Sequence, residues 1–142
     1  MQNTAFRLKN ENDKTFIFDI VRKKWIVFTP EEQVRQYCIR YLTDILLVPL
    51  SFISVEKSLT INGLKKRYDI VVYNKNLKPV LLVECKADTE ALDEKVCKQI
   101  AIYNLQLNVP YLWLSNGKKN YYFNLEENKI LQIPALPFYD EM

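Results

Sequence analysis

The sequence predicts an α/β fold, a central mixed β-sheet flanked by α-helices. Three observations predict it: a capped amphipathic helix, then a run of strands joined by tight turns, then a β-α-β unit. The chain has 142 residues, which fits one domain of ordinary size, and residues 1–142 are read as a single unit.

Residues 1–28 hold two short apolar-rich stretches, 15–20 and 25–28, which predict a short hairpin or an N-terminal arm. A helix should start at Thr29. Thr29 is a suitable N-cap, Pro30 suits the first helical position, and Glu32 stands where a capping box wants a carboxylate. Val34, Cys38, Tyr41 and Ile45 recur at helical spacing, and the helix should end near residues 47–49.

Three strands follow. Residues 55–61 and 64–73 are separated by Asn62-Gly63, a strong signal for a two-residue hairpin turn. A polar turn at 74–79 leads to a strand over 80–86, whose first half, Val80-Leu81-Leu82-Val83, is continuously apolar. That suits a strand buried on both faces. A second helix is predicted over 89–107, with Leu92, Val96, Ile100, Tyr103 and Leu107 as its apolar stripe. A strand at 110–115 completes the β-α-β unit. Asn116-Gly117 opens a hairpin to 120–125, and a last short strand is expected at 130–133. The two-proline tail, 134–142, should lie along the surface.

Composition excludes several chemistries. Histidine is absent, which removes Ser-His-Asp triads, Cys-His pairs and histidine-based zinc hydrolases. With two glycines, Gly63 and Gly117, no phosphate loop or dinucleotide fingerprint can be written, so no nucleotide cofactor is expected. Cys38, Cys85 and Cys97 form no CxxC pair and read as small core residues. A net charge of +3 permits a nucleic-acid partner without requiring one. No apolar run approaches the ~20 residues of a membrane span, and the N-terminus lacks a signal peptide's apolar stretch. The expectation is a cytoplasmic protein with no membrane association.

One constellation carries chemistry. If the turn after the second strand is centred between Asn76 and Leu77, Lys75 opposes Lys78 and Asp69 opposes Glu84. Strand periodicity then puts Asp69, Val71 and Tyr73 on one face, with Glu84 and Lys86 sharing a face of the next strand. Two opposed carboxylates repel, and a divalent cation would offset that repulsion. An acid pair beside a lysine suits phosphodiester hydrolysis: the metal activates a water and the lysine orients it or stabilises developing charge. A surface ion-pair cluster is the structural alternative. One strand back, the same register places Glu56 opposite Asp69, as a further acid or as an edge-strand partner of Lys or Arg. Lys65, Lys66, Arg67, Lys118 and Lys119 lie at hairpins, where they either track a phosphate backbone or form solvated faces.

Asp69 followed by Glu84-Cys85-Lys86 resembles the D…(E/D)xK signature of the PD-(D/E)XK nuclease superfamily. The wider string resembles the N-terminal nuclease domain of type I restriction enzyme R subunits. The matching pieces are TPEEQVRQY at 29–37, KRYDIVVY at 66–73, VLLVECKA at 80–87, Gln99 with Tyr103, and LSNGKKNYYF at 114–123. The resemblance runs from Thr29 to Pro137. Tyr68 stands where the superfamily's name has proline.

The resemblance implies a restriction-endonuclease-like fold and a metal-dependent endodeoxyribonuclease that takes Mg²⁺ or Mn²⁺. Asp69 and Glu84 match the metal-binding acids and Lys86 the catalytic lysine. The Cys85 carbonyl matches a backbone ligand. Glu32, or Glu31 beside it, matches a helical acid, and Gln99 and Tyr103 match a QxxxY element. The implied partner is DNA. One site per chain suggests a homodimer, or motor and specificity subunits supplied in trans, because this sequence has no phosphate loop of its own. The rival expectation is a non-catalytic module of a restriction-type system that binds DNA or a partner protein.

Overall fold

The computed structural model describes residues 6–61 and 63–142; Asn62 of the predicted turn lies outside them. Among the described residues, nine strands and two α-helices follow one another. β1 (Leu8–Glu11), β2 (Lys14–Asp19) and β3 (Lys24–Val27) form a three-stranded antiparallel sheet, one strand more than a hairpin. Asn12 and Asp13 both take positive φ, 54° and 63°, which residues of this type tolerate in a tight hairpin turn.

α1 (Pro30–Asp44) begins as expected, with the Thr29 hydroxyl accepting from the Glu32 backbone N–H. It stops before the predicted 47–49. The second sheet has the order β4 (Ile53–Ile61), β5 (Leu64–Tyr73), β6 (Pro79–Cys85), β7 (Tyr111–Ser115), β8 (Asn120–Asn124), β9 (Leu131–Ile133). β6 and β7 are parallel and every other neighbouring pair is antiparallel, giving the predicted mixed sheet.

α2 (Glu94–Asn104) crosses between β6 and β7 and starts later than predicted. Asp93 caps it through the Lys95 N–H. Its buried residues are Cys97, Ala101 and Asn104, whereas Val96 and Tyr103 of the predicted stripe are 54% and 42% exposed. The helix is therefore rotated, with its small residues against the sheet, where they allow close approach.

Two cores sandwich the sheet. One joins α1 (Val34, Cys38, Ile39, Leu42) to Ile70, Val72, Leu81, Val83 and Cys85. The other joins α2 (Cys97, Ala101) to Tyr68, Val71, Leu82, Leu112 and Leu114. All three cysteines are buried and free.

The tail departs from its surface prediction. Leu136 and Tyr139 are buried in the α1 core. The Tyr139 hydroxyl donates to the Tyr73 carbonyl at 2.8 Å, and its backbone N–H donates to the Leu46 carbonyl. Among the described residues, no helix is long and apolar enough to cross a membrane.

Candidate active site

Ile70 pairs with Val83 and Val71 with Leu82. One more step sets Asp69 beside Glu84, the register read from the sequence. The side chains nevertheless do not share a face.

Asp69 Oδ1 accepts from Arg35 Nη2 of α1 at 2.8 Å, and its Oδ2 accepts from the Cys85 backbone N–H at 2.8 Å. Glu84 Oε1 pairs with Lys66 Nζ at 2.9 Å. That ammonium lies 5.0 Å from the Tyr68 ring centre and 5.2 Å from that of Tyr103 on α2. Asp69 thus belongs to the α1 side and Glu84 to the α2 side. This corrects the expected convergence of the two acids.

The cause is a break in strand alternation. On β4, Val55 packs on the α1 side and Leu59 on the α2 side, although both positions have the same parity. On β5, Ile70 lies in the α1 core and Tyr68 in the α2 core, again against parity. The pairs Val55–Ile70 and Lys57–Tyr68 flank the break, and no ladder pair joins Glu56 to Asp69 between them. Glu56 has φ +55°, the left-handed region that L-residues seldom adopt. Both strands change pleat phase here, so Asp69 no longer shares a face with Val71 and Tyr73.

Asp69 and Glu56 are turned to α1, where Glu32 meets them around one guanidinium. Arg35 Nη1 lies 2.8 Å from Glu32 Oε1 and 3.1 Å from Glu56 Oε1. Glu31 stands 3.9 Å from Arg35 at the rim. Glu32 does not close a capping box. Its oxygens accept from Arg35, from Arg22 at 3.0 Å and from Gln36 at 3.1 Å.

Arg67 reaches Glu56. Burial works against charge at both Arg35 and Glu56 but is outweighed. The neighbouring acids raise the Arg35 pKa, and Arg35, Arg67 and Arg22 together lower that of Glu56. Sequence reasoning missed Arg35; its signal was its place three and four residues after Glu32 and Glu31 on one helix.

Lys86 is exposed, as are Lys65, Gln99, Lys118 and Lys119. Tyr103 reaches Glu84 only through Lys66. The Cys85 side chain points into the α1 core, with its sulfur 3.9 Å from that of Cys38.

A shared metal ion does not fit this arrangement. Among the described residues, no three acidic, thiol or imidazole side chains are grouped to hold one. Asp69 spends both oxygens on protein donors. Glu84 differs: its Oε2 is buried and has no hydrogen-bond partner, and a buried carboxylate oxygen is costly to leave unmatched.

The profile of the type I restriction enzyme R protein N terminus (HSDR_N) matches residues 30–137. Among solved structures, the chain is similar to a DUF820 protein from Anabaena variabilis ATCC 29413, described as a nuclease candidate. The TM-score is 0.54 and the identity 12%, over 94% of this chain and 88% of that one. It is also similar to a DrdV–DNA complex, with TM-score 0.49 and 15% identity, over 74% of this chain and 10% of that one. No curated protein matches it.

Proposed function

Because the chain belongs to the type I restriction enzyme R protein N-terminus family, we propose that it is a nuclease domain hydrolysing DNA phosphodiesters, with Asp69, Glu84 and Lys86 as its working residues. The observation that carries the reading is Glu84 Oε2: a buried carboxylate oxygen without a partner, on the strand beside Asp69 and two residues from an exposed lysine. A divalent cation, Mg²⁺ or Mn²⁺, would find a bare donor in Glu84 Oε2 but not in Asp69, whose oxygens are both held by protein donors. Asp69 is held by Arg35 on the opposite face of β5, an interior strand, so Glu84 and Lys86 carry the reading in this arrangement.

The protein's own groups have definable parts. Arg35 and the Cys85 N–H fix Asp69. Lys66 neutralises Glu84 and holds it against Tyr68 and Tyr103. The exposed ammonium of Lys86 is free to meet a phosphate. One site per chain favours a homodimer or a partner subunit for cutting both strands of a duplex, and a cytoplasmic setting belongs to the same proposal.

A second reading has its own support. Asp69 and Glu84 lie on opposite faces and each is matched by a protein cation, so the pair has no repulsion that demands a metal. A non-catalytic module that binds DNA or a partner protein fits that arrangement. Supercoiled plasmid incubated with the protein in Mg²⁺ or Mn²⁺, against EDTA, separates the two. Nicking that disappears in Asp69→Ala, Glu84→Ala and Lys86→Ala supports the nuclease. DNA that is retarded but uncut under every metal condition overturns it in favour of the module.

A further inference from the structure

We propose that the outer face of the N-terminal three-stranded sheet is a stacking platform for single-stranded nucleic acid. This sheet lies ahead of residues 30–137, so the family match does not account for it.

The register sets Lys9 opposite Phe16, Phe16 opposite Val27, and Phe18 opposite Trp25. Ile17, between the two phenylalanines, is 1% exposed and faces the protein body, so alternation turns Phe16 and Phe18 outward. These rings are only partly covered. Phe18 and Trp25 meet edge to face, their centres 5.5 Å apart at 74°.

Cations lie over the rings. The Arg7 guanidinium is 4.9 Å from the Phe18 centre and 5.3 Å from that of Trp25, and the Lys9 ammonium is 4.6 Å from Trp25. Residues 1–28 contain six Lys and Arg against three Asp and Glu. Their excess of three equals the net +3 of the whole chain, so the remaining residues are neutral in sum.

Aromatic faces interleaved with cations are what a single strand requires: bases stack on rings or on guanidinium planes, and phosphates meet the charges. Ile17 packs on the inner face, while the outer rings pack on one another and on the two cations and keep part of their surface open. A protein partner with an acidic surface would use the cations but not three rings of this kind.

The platform opens onto the groove at Asp69. A cleft of about 510 Å³ runs from Phe16, Trp25 and Val27 to Glu31, Arg35 and Glu56. A second, about 260 Å³, continues from the same three charged residues to Asp69. That path toward Asp69 rests on the nuclease reading; binding at the platform does not.

The test is binding of a fluorescein-labelled oligothymidine to the full chain in EDTA, read by anisotropy and by intrinsic fluorescence. Trp113 is fully buried, so stacking should quench Trp25. Trp25→Ala and Arg7→Ala should each weaken binding about tenfold, and Trp25→Phe should retain most of it. Lys129→Ala makes the same charge change at the turn between β8 and β9 and should shift the affinity less than twofold.

Arg7 is exposed, so its variant carries the test if Trp25→Ala fails to fold by circular dichroism. The proposal is overturned by bound oligonucleotide without quenching, by equal losses in Arg7→Ala and Lys129→Ala, by tighter binding of duplex, or by polyglutamate binding as tightly as the oligonucleotide. Binding without metal-dependent nicking sinks the nuclease reading alone. Nicking without oligothymidine binding sinks the platform alone.

Discussion

Arg35 Nη2 holds Asp69 Oδ1 at 2.8 Å across the helix–sheet interface, and the same guanidinium holds Glu32 at 2.8 Å. One largely buried cation therefore balances two acids that sequence reading had assigned to a metal.

Arg35→Met is expected to cost about 3–5 kcal/mol, because it strands buried carboxylates without their counter-ion. Urea denaturation followed by circular dichroism measures this. Arg35→Met combined with Asp69→Asn should lose less than the sum of the single losses, with a coupling of about 1–3 kcal/mol. Additive losses would show that the two groups do not support each other.

Lys66 and a divalent cation would compete for Glu84. Lys66→Met should tighten Mn²⁺ binding by roughly tenfold, the value of about one charge-assisted hydrogen bond, and Glu84→Gln should abolish binding in either background. Calorimetric titration of Mn²⁺ reads both. Unchanged affinity in Lys66→Met would remove Glu84 from any metal site.

Asp19 should govern acid stability. It is fully buried and accepts from the Val21 and Arg22 backbone N–H groups, from the Arg22 guanidinium at 2.6 Å and from Gln36 at 3.1 Å. Burial alone would raise its pKa, but these donors outweigh it and hold the pKa below the ordinary 3.8. A depressed carboxylate gives its full stabilisation above the unfolded-state value and loses it as pH falls through the folded-state value. Unfolding free energy should therefore be level from about pH 7 to 5 and decline below about pH 4. Glu56, also lowered, adds in the same direction. Asp19→Asn should be less stable at neutral pH and show a shallower acid slope.

Tyr139 should anchor the tail. Tyr139→Phe removes the bond to the Tyr73 carbonyl and is expected to cost about 1 kcal/mol. Tyr139→Ala also loses the ring stacked on Phe52, 5.9 Å between centres, and should cost about 3–5 kcal/mol. A thermal melt of both variants tests the order, and equal effects would mean that the ring contributes no packing.

The sequence readings that succeeded were local. Thr29 and Pro30 start α1 because capping uses neighbours three residues apart; the expected Asp69–Glu84 register survives only because a bulge between Val72 and Tyr73 offsets a turn that pairs Tyr73 with Pro79 instead of Lys75 with Lys78. Tyr103, Val96 and the tail were misread because burial there depends on distant partners: Asn104 takes the Tyr68 hydroxyl, and Leu136 fills space beside α1. The face of Asp69 was illegible for a different reason. Alternation is a rule of regular strands, and the positive φ at Glu56 breaks it without a glycine to mark the place. Arg35 was hidden because charged helix residues usually face water, and only the assembled sheet supplies the carboxylates that bury it.

The joint between the N-terminal sheet and the rest of the protein adds ionic contacts to the packing of Ile20 and Val21 on the α1 core. Arg22 bridges to Glu32, Asp19 receives Gln36, and Ile17 is the one fully buried aliphatic residue of β2. A joint of this kind weakens with ionic strength more than an oily one does. In hydrogen exchange, the amides of residues 8–27 should open together as a separate cooperative unit, ahead of β5–β7, at a free-energy cost that added salt lowers.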